Sequence, residues 1–299
     1  MKKILYCFIL TLTFVWGCSS GNQKNESDIF DSIANSSKSS NVTKEDVEKI
    51  LKSFPSPLEI NSLIKESGSQ YNDEMLNKVE NVSNYNRSFN KALNLGIYVT
   101  DMGYINIYEK TYTSLKYLDA VKILSNDLKV GQFFDFNSIK RLASNRKNAD
   151  SILYISTRGF EKMNSYLSDK NRSNVSSLIL VGGWIEGLYI STQIVKSKYK
   201  KELVDKIGEQ KIPLENIYKL LSAYNNEPNF KELVKDFSDL KSLYDGVTIS
   251  YSQSKEPQMK EVDGRPVFVD NTKSTINISN DLLNKIIEKT SNIRNKIIK

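Results

Sequence analysis

Apolar residues recur every three to four positions along most of this chain, the spacing that lays one hydrophobic stripe along a helix. The longest such run extends from Tyr85 to Asp127 without a Pro. That is too long for one ordinary globular helix, so it predicts two antiparallel helices that break near Tyr108 to Thr111. A second pair is expected over about Asp150 to Leu167 and Asn174 to Lys196, joined by the polar turn Ser168-Asp169-Lys170-Asn171-Arg172. Further helices follow at about Lys200 to Gln210 and, after Pro213, from Leu214 to Tyr224. Another runs from Asn229 to Leu243, with Phe230, Leu233, Val234, Phe237, Leu240 and Leu243 on one side. Upstream, Thr43 opens a shorter helical pattern, and Ser56-Pro57-Leu58-Glu59 opens another with Ser at the cap and Pro at the first helical position.

Near the C-terminus the period changes. Val247-Thr248-Ile249-Ser250-Tyr251-Ser252 alternates with period two, and Val262-Asp263-Gly264-Arg265 offers a hairpin turn. Pro266-Val267-Phe268-Val269 and Ser274-Thr275-Ile276-Asn277-Ile278 read as strands, so a small antiparallel meander is expected over about 247–278. Ser279-Asn280-Asp281 then caps a final helix through Leu282, Leu283, Ile286, Ile287, Ile293 and Ile297. The predicted fold class is mainly α: a multi-helix bundle of antiparallel helical pairs, with the β-meander near the C-terminus followed by a final helix. No segment repeats at a fixed period, which argues against a solenoid.

The N-terminus has a different logic. A basic head, Met1-Lys2-Lys3, precedes an apolar run of about a dozen residues, too short to cross a bilayer core that needs roughly 20. It reads as an export signal over residues 1–17. Val15-Trp16-Gly17-Cys18 resembles the bacterial lipobox, in which a small residue precedes the Cys that receives diacylglycerol; Trp16 departs from the small or hydroxyl residue usual at its position. The resemblance implies a mature chain beginning at Cys18, carrying a thioether-linked diacylglycerol and an N-acyl chain as its covalent lipid, with no other cofactor. Two or more acyl chains suffice for stable anchoring where one does not. Residues 18–42 are rich in Ser, Asn, Lys and Asp and read as a flexible tether. As a coil it would set the folded body, residues 43–299, on the order of 25 to 30 Å from the membrane.

Composition narrows the chemistry. The chain holds two Cys, both within the first eighteen residues, and no His. A Ser-His-Asp triad, a Cys-His pair, an HExxH zinc site and a Cys-rich metal site are thereby excluded. Without Lys2 and Lys3 the 42 basic residues fall to 40 against 35 acidic, a net of +5. Lys and Arg are interspersed with Asp and Glu, and the one dense cluster, Lys196-Ser197-Lys198-Tyr199-Lys200-Lys201, is followed at once by Glu202 and Asp205. No basic stripe with motif support is present, so a nucleic-acid partner is not expected.

Two apolar stretches carry the candidate site. Gly182-Gly183-Trp184-Ile185-Glu186-Gly187-Leu188-Tyr189 places three Gly in six residues, each costing a helix about 1 kcal/mol against Ala, which favours close approach of another helix at Gly183 and Gly187. Leu95-Gly96-Ile97-Tyr98-Val99-Thr100-Asp101-Met102-Gly103-Tyr104-Ile105 embeds an acid in the same way. A carboxylate buried alone is heavily penalised, so Asp101 and Glu186 must each be paired, exposed or protonated. If they meet in an open cleft, the pair could cleave a glycosidic bond; the plainer reading gives each a hydrogen-bonding partner on a neighbouring helix. Of 16 Tyr, Tyr98, Tyr104, Tyr108, Tyr112 and Tyr117 fall within twenty positions and suit either a ligand groove or a half-buried helix interface, the interface being favoured.

Ala92-Leu93-Asn94-Leu95-Gly96-Ile97-Tyr98 with Asp101 and Tyr104, together with Gly182 to Tyr189, resembles a group of Bacteroidota lipoproteins that carry no assigned activity. The resemblance implies a diderm envelope and an outer-membrane lipoprotein. Ser19-Ser20-Gly21-Asn22-Gln23-Lys24 lacks the acidic cluster of surface-displayed members, which points to the periplasmic face. The expected function is a non-catalytic binding or scaffolding module, anchored to the membrane by lipid and engaging an envelope protein or glycan. A second reading is a glycan- or peptide-binding groove lined by Tyr98, Asp101, Tyr104, Trp184 and Glu186. A carboxylate hydrolase using Asp101 and Glu186 stands third.

Overall fold

The computed structural model describes residues 64, 67–143, 149–252, 258–262, 265–269 and 273–299. The export signal, Cys18, the tether and the helix starts at Thr43 and Ser56 lie outside them. The described chain is mainly α-helical. Helices α1 (Ser88–Ile107) and α2 (Thr111–Asp127) form the first antiparallel pair. A short α3 (Phe136–Ala143) leads to the second pair, α4 (Ala149–Asp169) and α5 (Ser173–Ser197). Then come α6 (Lys201–Glu209), α7 (Lys211–Ser222), α8 (Pro228–Tyr244) and, after the β element, α9 (Asn280–Ile297).

The turns between paired helices have a common cause. Glu109, Lys129 and Asn171 have φ of 55°, 59° and 56°. Each sits just past a helix end, where a left-handed residue lets the following N–H reach back to an orphan carbonyl. Lys110 N–H donates to Ile105 O, Val130 N–H to Ser125 O and Arg172 N–H to Leu167 O. The chain reverses at the break read from Tyr108 to Thr111 and at the polar turn read from Ser168 to Arg172. Helix α9 starts as expected: Ser279 Oγ accepts from Leu282 N–H at 3.2 Å, with Asp281 in the first turn.

The β element contains four strands, β1 (Thr248–Ser252), β2 (Gln258–Val262), β3 (Arg265–Val269) and β4 (Lys273–Asn277). Pairing is antiparallel, β1 with β4 and β2 with β3. In detail the expected meander is therefore nested: one long hairpin in two segments. Val262 faces Arg265 at the turn, and farther along Gln258 faces Val269 and Ser252 faces Lys273.

At the centre, α1 and α5 run side by side. Gly96 and Gly182 are what permit it, since a Cβ on Gly182 would overlap the Leu93 carbonyl oxygen and one on Gly96 the Ile179 carbonyl oxygen. Thr100 Oγ1 bridges the crossing with hydrogen bonds of 3.1 Å to both Gly96 O and Gly183 O. The close contact expected at Gly183 and Gly187 is thus made chiefly by Gly182 and Gly183, while a methyl group on Gly187 would meet only Thr100 Cγ2, at 3.9 Å. Helix α5 is long and apolar enough to cross a membrane by composition, with a mean hydropathy of 1.4, yet 72% of that window is buried against the rest of the body. Its packing is that of a core helix.

Candidate functional site

Asp101 on α1, Glu186 on α5 and Arg294 on α9 converge in the interior. Asp101 and Glu186 are 0% exposed and Arg294 is 3% exposed. The Arg294 guanidinium grips Glu186 with both arms, Nε to Oε2 and Nη2 to Oε1, each at 2.9 Å. Such bidentate pairs combine charge with fixed geometry. Nη2 also donates to the Met75 carbonyl at 2.9 Å, and the Tyr189 ring lies 4.6 Å from the guanidinium carbon. Burial works against the Arg294 charge, but the Glu186 carboxylate outweighs it and raises the pKa.

Asp101 completes the cluster differently. Its Oδ2 accepts from Asn77 N–H at 3.1 Å, whereas Oδ1 is buried without a hydrogen-bond partner. The Glu186 charge acts on the Asp101 carboxyl, and a proton on one of the two acids relieves that repulsion. Burial first, and then the Glu186 charge, hold the Asp101 carboxyl well above its ordinary range, against the pull of Arg294 and of the Asn77 N–H. With Asp101 protonated, one anion faces one cation and the buried cluster is neutral, the arrangement a low-dielectric interior tolerates.

A second polar network extends the first. Asn77 Nδ2 donates to Tyr85 OH at 2.9 Å and to Asn94 Oδ1 at 3.1 Å. Asn94 Nδ2 donates to Ile297 O at 3.1 Å and Tyr85 OH to Ile298 O at 3.2 Å. The last carbonyls of α9, which have no partners within the helix, are thus satisfied by side chains from elsewhere in the chain. Together the two networks lock the C-terminal helix and the 72–87 segment onto α1 and α5.

Of the five residues read as a possible groove, the structure brings Asp101 and Glu186 together and leaves the others in separate settings. Tyr98 is 0% exposed, and its hydroxyl donates to Lys78 O at 2.8 Å. Tyr104 is buried, accepts from Asn72 N–H at 3.1 Å and stacks on Tyr71 with ring centroids 5.7 Å apart. Trp184 donates from Nε1 to Gln210 Oε1 at 2.9 Å and packs on Phe237 at 5.9 Å, away from the tyrosines. Trp184, the most exposed of the five, is 7% exposed, so they line no open groove. Tyr98, Tyr104 and Tyr117 belong to a helix interface, and desolvation pushes all three phenols up, out of acid–base use. Tyr112, at 74% exposed, is the member of the stretch that faces water.

The acids do meet, as a hydrolase would need, but a glycosidic bond and its attacking water have no access to them. Among the described residues no group of three or more His, Cys, Asp or Glu is placed to hold a metal ion. Sequence reasoning does not single out Arg294, Asn77 or Asn94. A signal for two of them is there: Arg294 falls beside Ile293 on the apolar stripe of α9, and Asn94 interrupts Ala92-Leu93-Leu95. The fold and site define a class by architecture, a helical bundle closed over a buried, ion-paired acid cluster. No protein family matches the chain, nor does any curated protein or solved structure.

Proposed function

We infer that this chain is a lipid-anchored envelope protein, most consistent with the periplasmic face of an outer membrane, whose helical body acts as a non-catalytic binding or scaffolding module. The observation that carries the reading is the pairing of an apolar leader ending at Cys18 with a body that contains no His and keeps its buried acid pair behind Arg294. A protein whose fully buried acid pair is spent on holding helices together acts through its surface. Its partner is then another envelope protein or a glycan, engaged outside the core.

The test is metabolic labelling with an alkyne fatty acid, followed by membrane fractionation of the parent and of Cys18→Ala. The parent takes up label and partitions with membranes, and the variant loses both. Label retained by Cys18→Ala would refute the anchor. Crosslinking of tagged protein in its own envelope then identifies the partner, and turnover of a glycan or peptide by the purified protein would refute the non-catalytic reading.

A further inference from the structure

Four lysines stand within six residues where α5 ends and α6 begins: Lys196, Lys198, Lys200 and Lys201. Lys196, Lys198 and Lys201 are exposed and Lys200 is half-buried. Tyr199, among them, is 60% exposed. Lys201 is ion-paired with Asp205 and also donates to the Ile276 carbonyl. Glu202 is exposed beside them, so four lysines against two acids leave a surplus of two positive charges at this corner, carried among Lys196, Lys198 and Lys200. The negative end of the α5 dipole accounts for a lysine in its last turn but not for a large ring left in water. Ammonium groups around an amphipathic ring fit an anionic bilayer surface, with charge on the phosphates and the ring at headgroup level.

The position of the patch adds to its composition. Lys198 Nζ donates to the Gly68 carbonyl at 3.1 Å. Gly68 lies near the N-terminal limit of the described residues. The lysines therefore lie beside the first described residues of the chain.

We propose that Lys196, Lys198 and Lys200, with Tyr199, lay the helical body against anionic phospholipid headgroups of the membrane that holds the Cys18 lipid. This rests on the lipid-anchor reading above. Each surplus charge near an anionic surface changes binding about fivefold, so two give roughly twenty-five-fold, too little for a free protein. A tether that presents the surface at an effective concentration in the millimolar range makes it sufficient. The body then lies down on an anionic bilayer and stands off a neutral one.

The experiment uses the full chain carrying Tyr199→Trp, purified from membranes and reconstituted into vesicles of phosphatidylcholine alone or of an equimolar mixture with phosphatidylglycerol, both containing a brominated quencher lipid. Trp184 is buried and supplies a constant background, and the lipid-anchored chain beginning at Cys18 no longer carries Trp16. Quenching is expected in the mixed vesicles, absent in the neutral ones and relieved by high salt, which screens surface charge. Adding Lys196→Gln and Lys200→Gln weakens the contact about twenty-five-fold and removes most of the quenching. Equal quenching in both vesicle types, none in the mixed vesicles, or quenching that survives removal of the lysines would overturn the proposal. Flotation with neutral vesicles reads the anchor separately. A chain that fails to float there refutes the anchor, and salt-sensitive flotation with mixed vesicles still decides the patch.

Discussion

Glu186→Gln changes one oxygen to an amide and removes one charge, leaving Arg294 inside the protein at 3% exposure without its two-armed partner and with Asp101, which makes no hydrogen bond to it, as the remaining acid. Breaking a buried pair from one side costs about 3 to 5 kcal/mol, because the remaining charge keeps its desolvation penalty. At about 2 to 4 °C per kcal/mol the melting temperature falls on the order of 10 °C. Asp101→Asn is the opposite case. An Asn side chain reproduces the protonated acid, its amide donating towards Glu186 and its oxygen accepting from Asn77 N–H, so stability at neutral pH holds or rises. The pH dependence follows from the raised Asp101 pKa. In the unfolded chain the group ionises near its ordinary value of 3.8, while in the folded state it keeps its proton to higher pH. From that value up to the folded pKa the unfolded state is favoured progressively, so this group's share of stability falls as pH rises. Urea unfolding of parent and Asp101→Asn between about pH 4 and pH 9 checks it, and the variant loses that downward slope. The reasoning fails if Glu186→Gln is as stable as the parent or more so, which is the signature of acids kept for a site at the expense of stability.

Three other outcomes are expected. Gly182→Ala forces a methyl onto the Leu93 carbonyl and destabilises by at least the roughly 1 to 3 kcal/mol typical of overpacking, whereas Gly103→Ala on α1, where a Cβ meets nothing within 4 Å, stabilises by about 1 kcal/mol. Chemical denaturation of the two variants side by side reads both signs. Ser279→Ala removes the α9 cap and costs about 1 kcal/mol, measurable as a lower unfolding midpoint and faster amide exchange in the first turn of α9. Arg294→Lys keeps the charge but loses the two-armed grip on Glu186, and thermal melting places it between parent and Glu186→Gln.

The long helices were legible because each carries a continuous apolar stripe and its turns are chemically marked, whereas the two-turn α3 over Phe136–Ala143 was not. Asn171 in the polar Ser168–Arg172 turn and Ser279 before Asp281 act locally, so sequence neighbours are enough to place them. The strand pairing was less legible: alternation marks β1 and β4, but which strand pairs with which is set by how far the arms of the Val262–Arg265 hairpin extend. The acids were conspicuous inside apolar runs, and their need for partners followed from desolvation alone. Their partner was not, because Arg294 lies 108 residues beyond Glu186 and the pairing exists only after α9 packs. The sealing of the cluster is likewise tertiary, made by the 72–87 segment and α9, and no local pattern encodes it.

Infrared spectroscopy of the carboxyl C=O stretch tests the closed, singly protonated core most directly. A protonated-acid band at neutral pH, slow to shift in deuterated water and missing from Asp101→Asn, is the predicted result. No such band at neutral pH, or one that shifts within the mixing time, would place these acids in open contact with solvent and contradict the account.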